Sequence, residues 1–148
     1  MAGRKPANEL GVGEGFEPFE FVVTPELNQQ YLYAGEDYHP RYWRETDAGP
    51  PIVHPGLLLN LSNHTRSPSF FLPPGWAGVH AAEETSLMNP ARVGQRLRVT
   101  WEILEAYEKR GKPYQKIDIW IVDEDGVQIL RRIYEGTYSS PAVTKYKG

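Results

Sequence analysis

The sequence predicts an α+β domain in which a curved antiparallel sheet wraps around one buried central helix, and three observations carry that expectation. Apolar residues in the second half alternate, first Leu97, Val99, Trp101 and Ile103, then Ile117, Ile119 and Ile121, which is the period of a strand with one buried face. Two turn signals, Arg110-Gly111 and Glu124-Asp125-Gly126, fold such segments back on each other. In the first half, the run PGLLLNL from Pro55 is apolar nearly all round, the composition of a helix enclosed by the rest of the chain.

Taken in order, residues 1–15 are polar and Gly-rich and read as a flexible leader. Residues 16–23, FEPFEFVV, are aromatic and β-branched, but Pro18 lacks the N–H a central strand needs, so this is an edge strand. Thr24, Pro25 and Glu26 start a helix as N-cap, first helical residue and first-turn acid. It runs over residues 26–34, presents Leu27, Tyr31 and Ala34 on one face and stops at Gly35. His39-Pro40 opens a short helix or turn reaching Glu45, and the central helix follows. Residues 67–76, SPSFFLPPGW, form an aromatic loop of the kind that covers a cleft or meets a second subunit. Strands are expected over residues 79–87, 96–107, 114–122 and 127–138, an antiparallel meander.

A length of 148 residues is that of one domain, expected to span 1–148. The net charge of −3 comes without a basic stripe, so no nucleic-acid partner is expected. With no cysteine, disulfides, thiolate metal sites and a cysteine nucleophile are all excluded. The N-terminal residues have no apolar core, which argues for a cytoplasmic protein with no membrane partner. His64 and His80 lack ligand-like spacing, so no metal is expected. The glycines of residues 11–15 follow no strand and do not form a dinucleotide loop.

Three stretches carry a family resemblance: YLYAGEDYHPRY at 31–42, PIVHPGLL at 51–58, and residues 80–94, which end in NPARVG. Together they resemble the MaoC-like hot-dog dehydratases and (R)-specific enoyl-CoA hydratases. The resemblance implies the hot-dog fold and interconversion of a trans-2-enoyl thioester with a 3-hydroxyacyl thioester. It implies no cofactor beyond the coenzyme A or acyl-carrier phosphopantetheine of the substrate. It also implies a homodimer, or a heterodimer with another hot-dog subunit. Asp37 falls on the family's catalytic aspartate. His39 stands where the family has asparagine, Tyr42 where it has its catalytic histidine, Glu36 where it has the glycine before the aspartate, and Pro55 where it has the glycine after His54.

Dehydration of this kind needs a base, an acid and a donor to the thioester oxygen. Asp37 and His39 are the candidate catalytic pair, His39 taking over from the missing histidine, since a histidine's ordinary titration suits proton exchange. A competing reading makes Asp37 a cap for the short helix at Pro40 and His39 a packed turn residue. Substrate-binding candidates are Tyr42 through its hydroxyl, His54 at the start of the central helix, where a structural role weighs more heavily, and Gly56. Pro55 has no N–H, so the expected oxyanion donor is the Gly56 backbone. The alternatives are a non-catalytic acyl-binding subunit, favoured by Tyr42 and Pro55, and a hot-dog thioesterase in which Asp37 or Glu36 directs water.

Overall fold

The computed structural model describes residues 4–141. A five-stranded antiparallel sheet has the order β1-β3-β4-β5-β2, formed by β1 (Gly15–Val22), β2 (Ala77–Leu87), β3 (Arg96–Lys109), β4 (Lys112–Asp123) and β5 (Gln128–Ser139). Two α-helices precede β2, α1 (Pro25–Gly35) and α2 (Pro55–Leu61). The meander expected of the second half holds for β3, β4 and β5 and fails for β2. That strand crosses to the far edge and pairs with β5 instead of β3. The reason lies in the segment between them. Ala91 and Val93 hydrogen-bond across to Val53 and Pro51, and Ile52 bridges Arg92, so the connection pairs with the lead-in to α2 and cannot close a hairpin.

The hairpin signals act as read. Arg110 and Gly111 both have positive φ in the β3–β4 turn. In the β4–β5 turn Asp123 Oδ1 accepts the N–H groups of Asp125 and Val127, both at 2.9 Å, around Gly126 at φ 79°. The alternating residues of β3 and β4 line the concave face, and Leu57 and Leu58 of α2 pack on them in one core with Ile129 and Leu130. The central helix is less enclosed than its composition suggests. Leu57 and Leu58 are buried, Leu59 and Leu61 half-buried, and Asn60 exposed.

The C-terminal end of α2 is tied to the sheet by polar groups. Trp101 Nε1–H of β3 donates to Ser62 O (2.8 Å). Arg132 of β5, 4% exposed, donates to Leu59 O (2.9 Å) and Ser62 Oγ (2.8 Å) and pairs with Glu83 of β2 (2.7 Å). Removing one partner of a buried pair costs about 3–5 kcal/mol, because the other charge is left uncompensated.

The segment expected as a loose leader is packed within the described residues, and residues 1–3 lie outside them. Ala7 is fully buried and donates its N–H to Phe71 O (2.8 Å). The buried Gln115 side chain of β4 donates to Ala7 O (2.7 Å) and Leu10 O (3.0 Å). A buried amide must be satisfied, and the segment supplies its acceptors. Phe70, Leu72 and Trp76 of the aromatic loop pack half-buried against the core. Among the described residues no helix is long and apolar enough to cross a membrane.

Candidate functional site

The site begins where α1 ends. Thr24 caps the helix as expected, its Oγ1 accepting the Leu27 N–H (3.1 Å). At the other end Glu36 adopts the left-handed conformation (φ 53°), and the N–H groups of Glu36 and Asp37 bond back to Tyr33 O (3.3 Å) and Leu32 O (3.0 Å). This is a Schellman closure with glutamate in the position that favours glycine. It fixes the backbone of Asp37, whose carboxylate then accepts two hydrogen bonds. His39 N–H reaches Oδ1 at 3.2 Å, and His54 Nε2 lies 3.0 Å from Oδ2. The His39 backbone N–H foremost, then the His54 ring, hold the Asp37 carboxyl below its ordinary range against a partial desolvation that acts the other way.

His54 is the N-cap of α2. Its Nδ1 accepts the Gly56 N–H at 2.9 Å, which requires the proton to sit on Nε2, where it is donated to Asp37. One imidazole therefore caps a helix on one side and orients a carboxylate on the other. Pro55 occupies the first helical position and withdraws nothing, since that N–H has no partner inside a helix. Tyr42 and Tyr31 flank the ring, with centroids 4.8 and 5.1 Å from that of His54.

The expected Asp37–His39 pair does not form through side chains. The exposed His39 ring accepts from Arg41 N (3.2 Å) and Arg41 Nε (3.1 Å), capping the 3-10 turn Pro40–Tyr42. His39 serves Asp37 only through its backbone; its ring is exposed and itself caps the turn in place of Asp37, so it is not the packed turn residue of the competing reading, and His54 is the imidazole on Asp37. Proline at residue 40 sets that turn, and the turn directs the ring of residue 39 outward. Gly56 is also corrected: its N–H is committed to His54 Nδ1 at 2.9 Å. Tyr42 is buried against His54 as a site-lining residue.

Asn28 was not legible as a site residue. It is 1% exposed, its Nδ2 donates to Tyr42 O (2.8 Å) and Ile52 O (3.1 Å), and its Oδ1 accepts the His54 N–H (3.0 Å). This amide sets the backbone of both Tyr42 and His54 from α1. The only signal was an asparagine one residue from the apolar stripe. The stripe itself is rotated, with Asn28 and Leu32 buried, Leu27 and Tyr31 half-buried and Ala34 exposed.

Next to the His54 backbone lies a groove of about 290 Å³ lined mainly by apolar residues, among them Tyr42, Val53, Pro55, Leu58, Leu87 and Met88, with Arg41 also on its wall. An ionised carboxylate with an oriented imidazole, set between residues that line an apolar groove, can activate water beside a substrate with an apolar arm.

No family model matches the sequence, and no curated protein matches it. Solved structures do match. Among them, the (R)-hydratase from A. caviae involved in PHA biosynthesis has TM-score 0.71 at 20% identity, covering 91% of this chain and all of the other. A MaoC-like dehydratase from Rhodospirillum rubrum has TM-score 0.69 at 15% identity over 88% of this chain and 94% of the other. A Thermus thermophilus member of the thioesterase superfamily has TM-score 0.59 at 20% identity over 96% and 88%. The protein has the hot-dog fold, and the segments that carry the sequence resemblance point to the same group of structures.

Proposed function

We propose that the protein is a hydratase/dehydratase that interconverts a trans-2-enoyl thioester and a 3-hydroxyacyl thioester, with Asp37 as base and His54 as its orienting partner. The reading is carried by the 3.0 Å contact between His54 Nε2 and Asp37 Oδ2, with Val53 and Pro55 on either side of His54 lining the apolar groove. In the hydration direction, a water held by Asp37 adds its oxygen to C3 of the enoyl group and leaves its proton on the carboxylate. The electron pair of the C2–C3 double bond moves toward the thioester oxygen, and the Asp37 carboxyl returns the proton to C2. The sum is one water added across the double bond. His54 keeps its Nε2 proton throughout, because Nδ1 is occupied by the Gly56 N–H. The acyl arm lies in the groove beyond Tyr42, and a second hot-dog subunit, identical or related, closes that groove along β2.

The decisive assay follows crotonyl-CoA and longer trans-2-enoyl-CoAs at the enoyl absorbance, with free thiol read in parallel. Loss of the enoyl signal without thiol supports the reading. Thiol release would replace it with a thioesterase. Silence that ends only when a related subunit is added would make this chain an acyl-binding partner.

A further inference from the structure

The beginning of α2 offers no free backbone donor. Pro55 has no N–H. The Gly56 N–H is held by His54 Nδ1 at 2.9 Å, and the N–H groups of Leu57 and Leu58 both bond to His54 O, at 3.0 and 3.3 Å. An enoyl thioester becomes reactive at C3 only as negative charge gathers on its carbonyl oxygen, so the site must present a donor there. Among the described residues, the donors whose rings flank His54 are the hydroxyls of Tyr31 and Tyr42, while the Arg41 guanidinium, also on the groove wall, lies over the Tyr42 ring at 5.4 Å.

The two differ in position. Tyr42 belongs to the wall of the apolar groove, with Leu58 and Met88. The Tyr31 hydroxyl stands over the first turn of α2, so close that a Cβ built on Gly56 would lie 2.3 Å from it and 3.1 Å from His54 Nδ1. Glycine at residue 56 therefore clears the space in which the phenol sits. Its ring is half-buried and 5.1 Å from the imidazole, and α1 holds it on the same helix that ends in Asp37.

We infer that Tyr31 is a further catalytic residue, its hydroxyl donating to the thioester carbonyl oxygen in place of the committed Gly56 N–H. This rests on the hydratase reading for its turnover, but the contact itself is to any acyl thioester seated at the dyad. Tyr31 on α1 would then bring the electrophile and Asp37 the nucleophile, both from one rigid helix and its closing turn. The role of Gly56 becomes steric: it admits the phenol.

The test separates the contact from the chemistry. Butyryl-CoA labelled with carbon-13 at the carbonyl is saturated and cannot be hydrated, and a hydrogen bond to its oxygen moves the carbonyl resonance downfield. The wild-type protein is expected to produce that shift. Tyr31→Phe, which keeps the ring, and Gly56→Ala, which keeps the phenol but displaces it, are both expected to abolish it. With crotonyl-CoA, Tyr31→Phe is expected to lower kcat on the order of 10²-fold with KM changed by less than roughly fivefold. Tyr33→Phe, exposed on the other side of α1, serves as the folded reference with unchanged values. No carbonyl shift in the wild-type protein, or an undiminished one in folded Tyr31→Phe, overturns the assignment. A shift that depends on Tyr31 in a protein that does not hydrate crotonyl-CoA upholds the contact and removes the hydratase reading instead.

Discussion

Asp37 accepts a backbone N–H on one oxygen and an imidazole N–H on the other, and both bonds favour its ionised form. It is therefore available as a base at neutral pH and through the mildly acidic range, and it protonates only below its ordinary range. Asp37→Asn is expected to lower hydration of crotonyl-CoA by roughly 10²–10⁴-fold, the span of a positioned general base. His54→Asn keeps a side-chain acceptor for the Gly56 N–H, so α2 remains capped while the partner of Asp37 is lost, and turnover should fall by at least about tenfold. His39→Ala leaves the backbone N–H that serves Asp37 and should retain turnover within about threefold. If His39→Ala instead abolished activity while His54→Asn did not, the dyad drawn from the geometry would be wrong. These residues also mark the limit of sequence reading. Asp37, Tyr42, His54 and Gly56 were legible as neighbours of one site because they fall in segments that resemble a known motif. The pairing of Asp37 with His54, seventeen residues away, was not. Proximity in sequence favoured His39, and only the turn at Pro40 decides which way that ring points.

Local chemistry made most elements readable, while their partners and environments depended on packing that local patterns do not encode. Alternation revealed β3, β4 and β5, and Thr24 and Pro25 revealed the start of α1. The pairing of β2 with β5 was hidden, because an edge assignment is settled by the crossing of residues 88–95 and not by the composition of β2. His64 was similarly opaque: outside any motif, it is a packed histidine in the turn after α2. Its ring lies among Phe16, Phe70 and Tyr134, and its Nδ1 is buried without a hydrogen bond. Burial above all, then the nearby charges of Arg132 and His80, pushes His64 down from 6.5 to about 4. In the unfolded chain the same ring takes up a proton near its ordinary value of 6.5, so between those values the unfolded state binds the extra proton. Stability should then be unaffected by His64 above that range and fall as pH drops through it, by about 3 kcal/mol in all. Denaturant midpoints measured from pH 7 to 4 in the wild type and in His64→Leu would isolate this term. The variant should show a shallower decline over that window, and equal slopes would mean that His64 is not held neutral.

The two edges of the sheet are finished differently, and the difference bears on assembly. β1 carries Pro18 and a register shift between Phe16 and Phe19, both of which blunt an edge. β2 also has a register shift, between His80 and Ala82, but it is eleven residues long, has no proline, and every residue but Glu83 is exposed. Glu83 turns inward to Arg132, leaving Val79 and Leu87 exposed at 49% and 59%, with Met88 just beyond the strand at 40%. Leu87 and Met88 also line the apolar groove beside the dyad. A proline-free edge of this length invites another strand, and apolar side chains at its end contribute about 25 cal/mol for each Å² they bury. The proposed pairing of β2 with β2 of a second copy would continue the sheet across both chains and roof the groove at its open end, linking assembly to the seat of the acyl arm. Sedimentation velocity at micromolar concentration should accordingly give twice the chain mass of 16.8 kDa. Leu87→Lys, placed where the two copies would meet, should shift the protein toward monomer. The same variant should raise KM for long enoyl thioesters more than for crotonyl-CoA, because only a long acyl arm reaches the end of the groove. A wild-type protein that sediments as a monomer at every concentration would remove the second copy from the site and leave the groove open on that side, and a heteromeric partner along β2 would then be the next assembly to test.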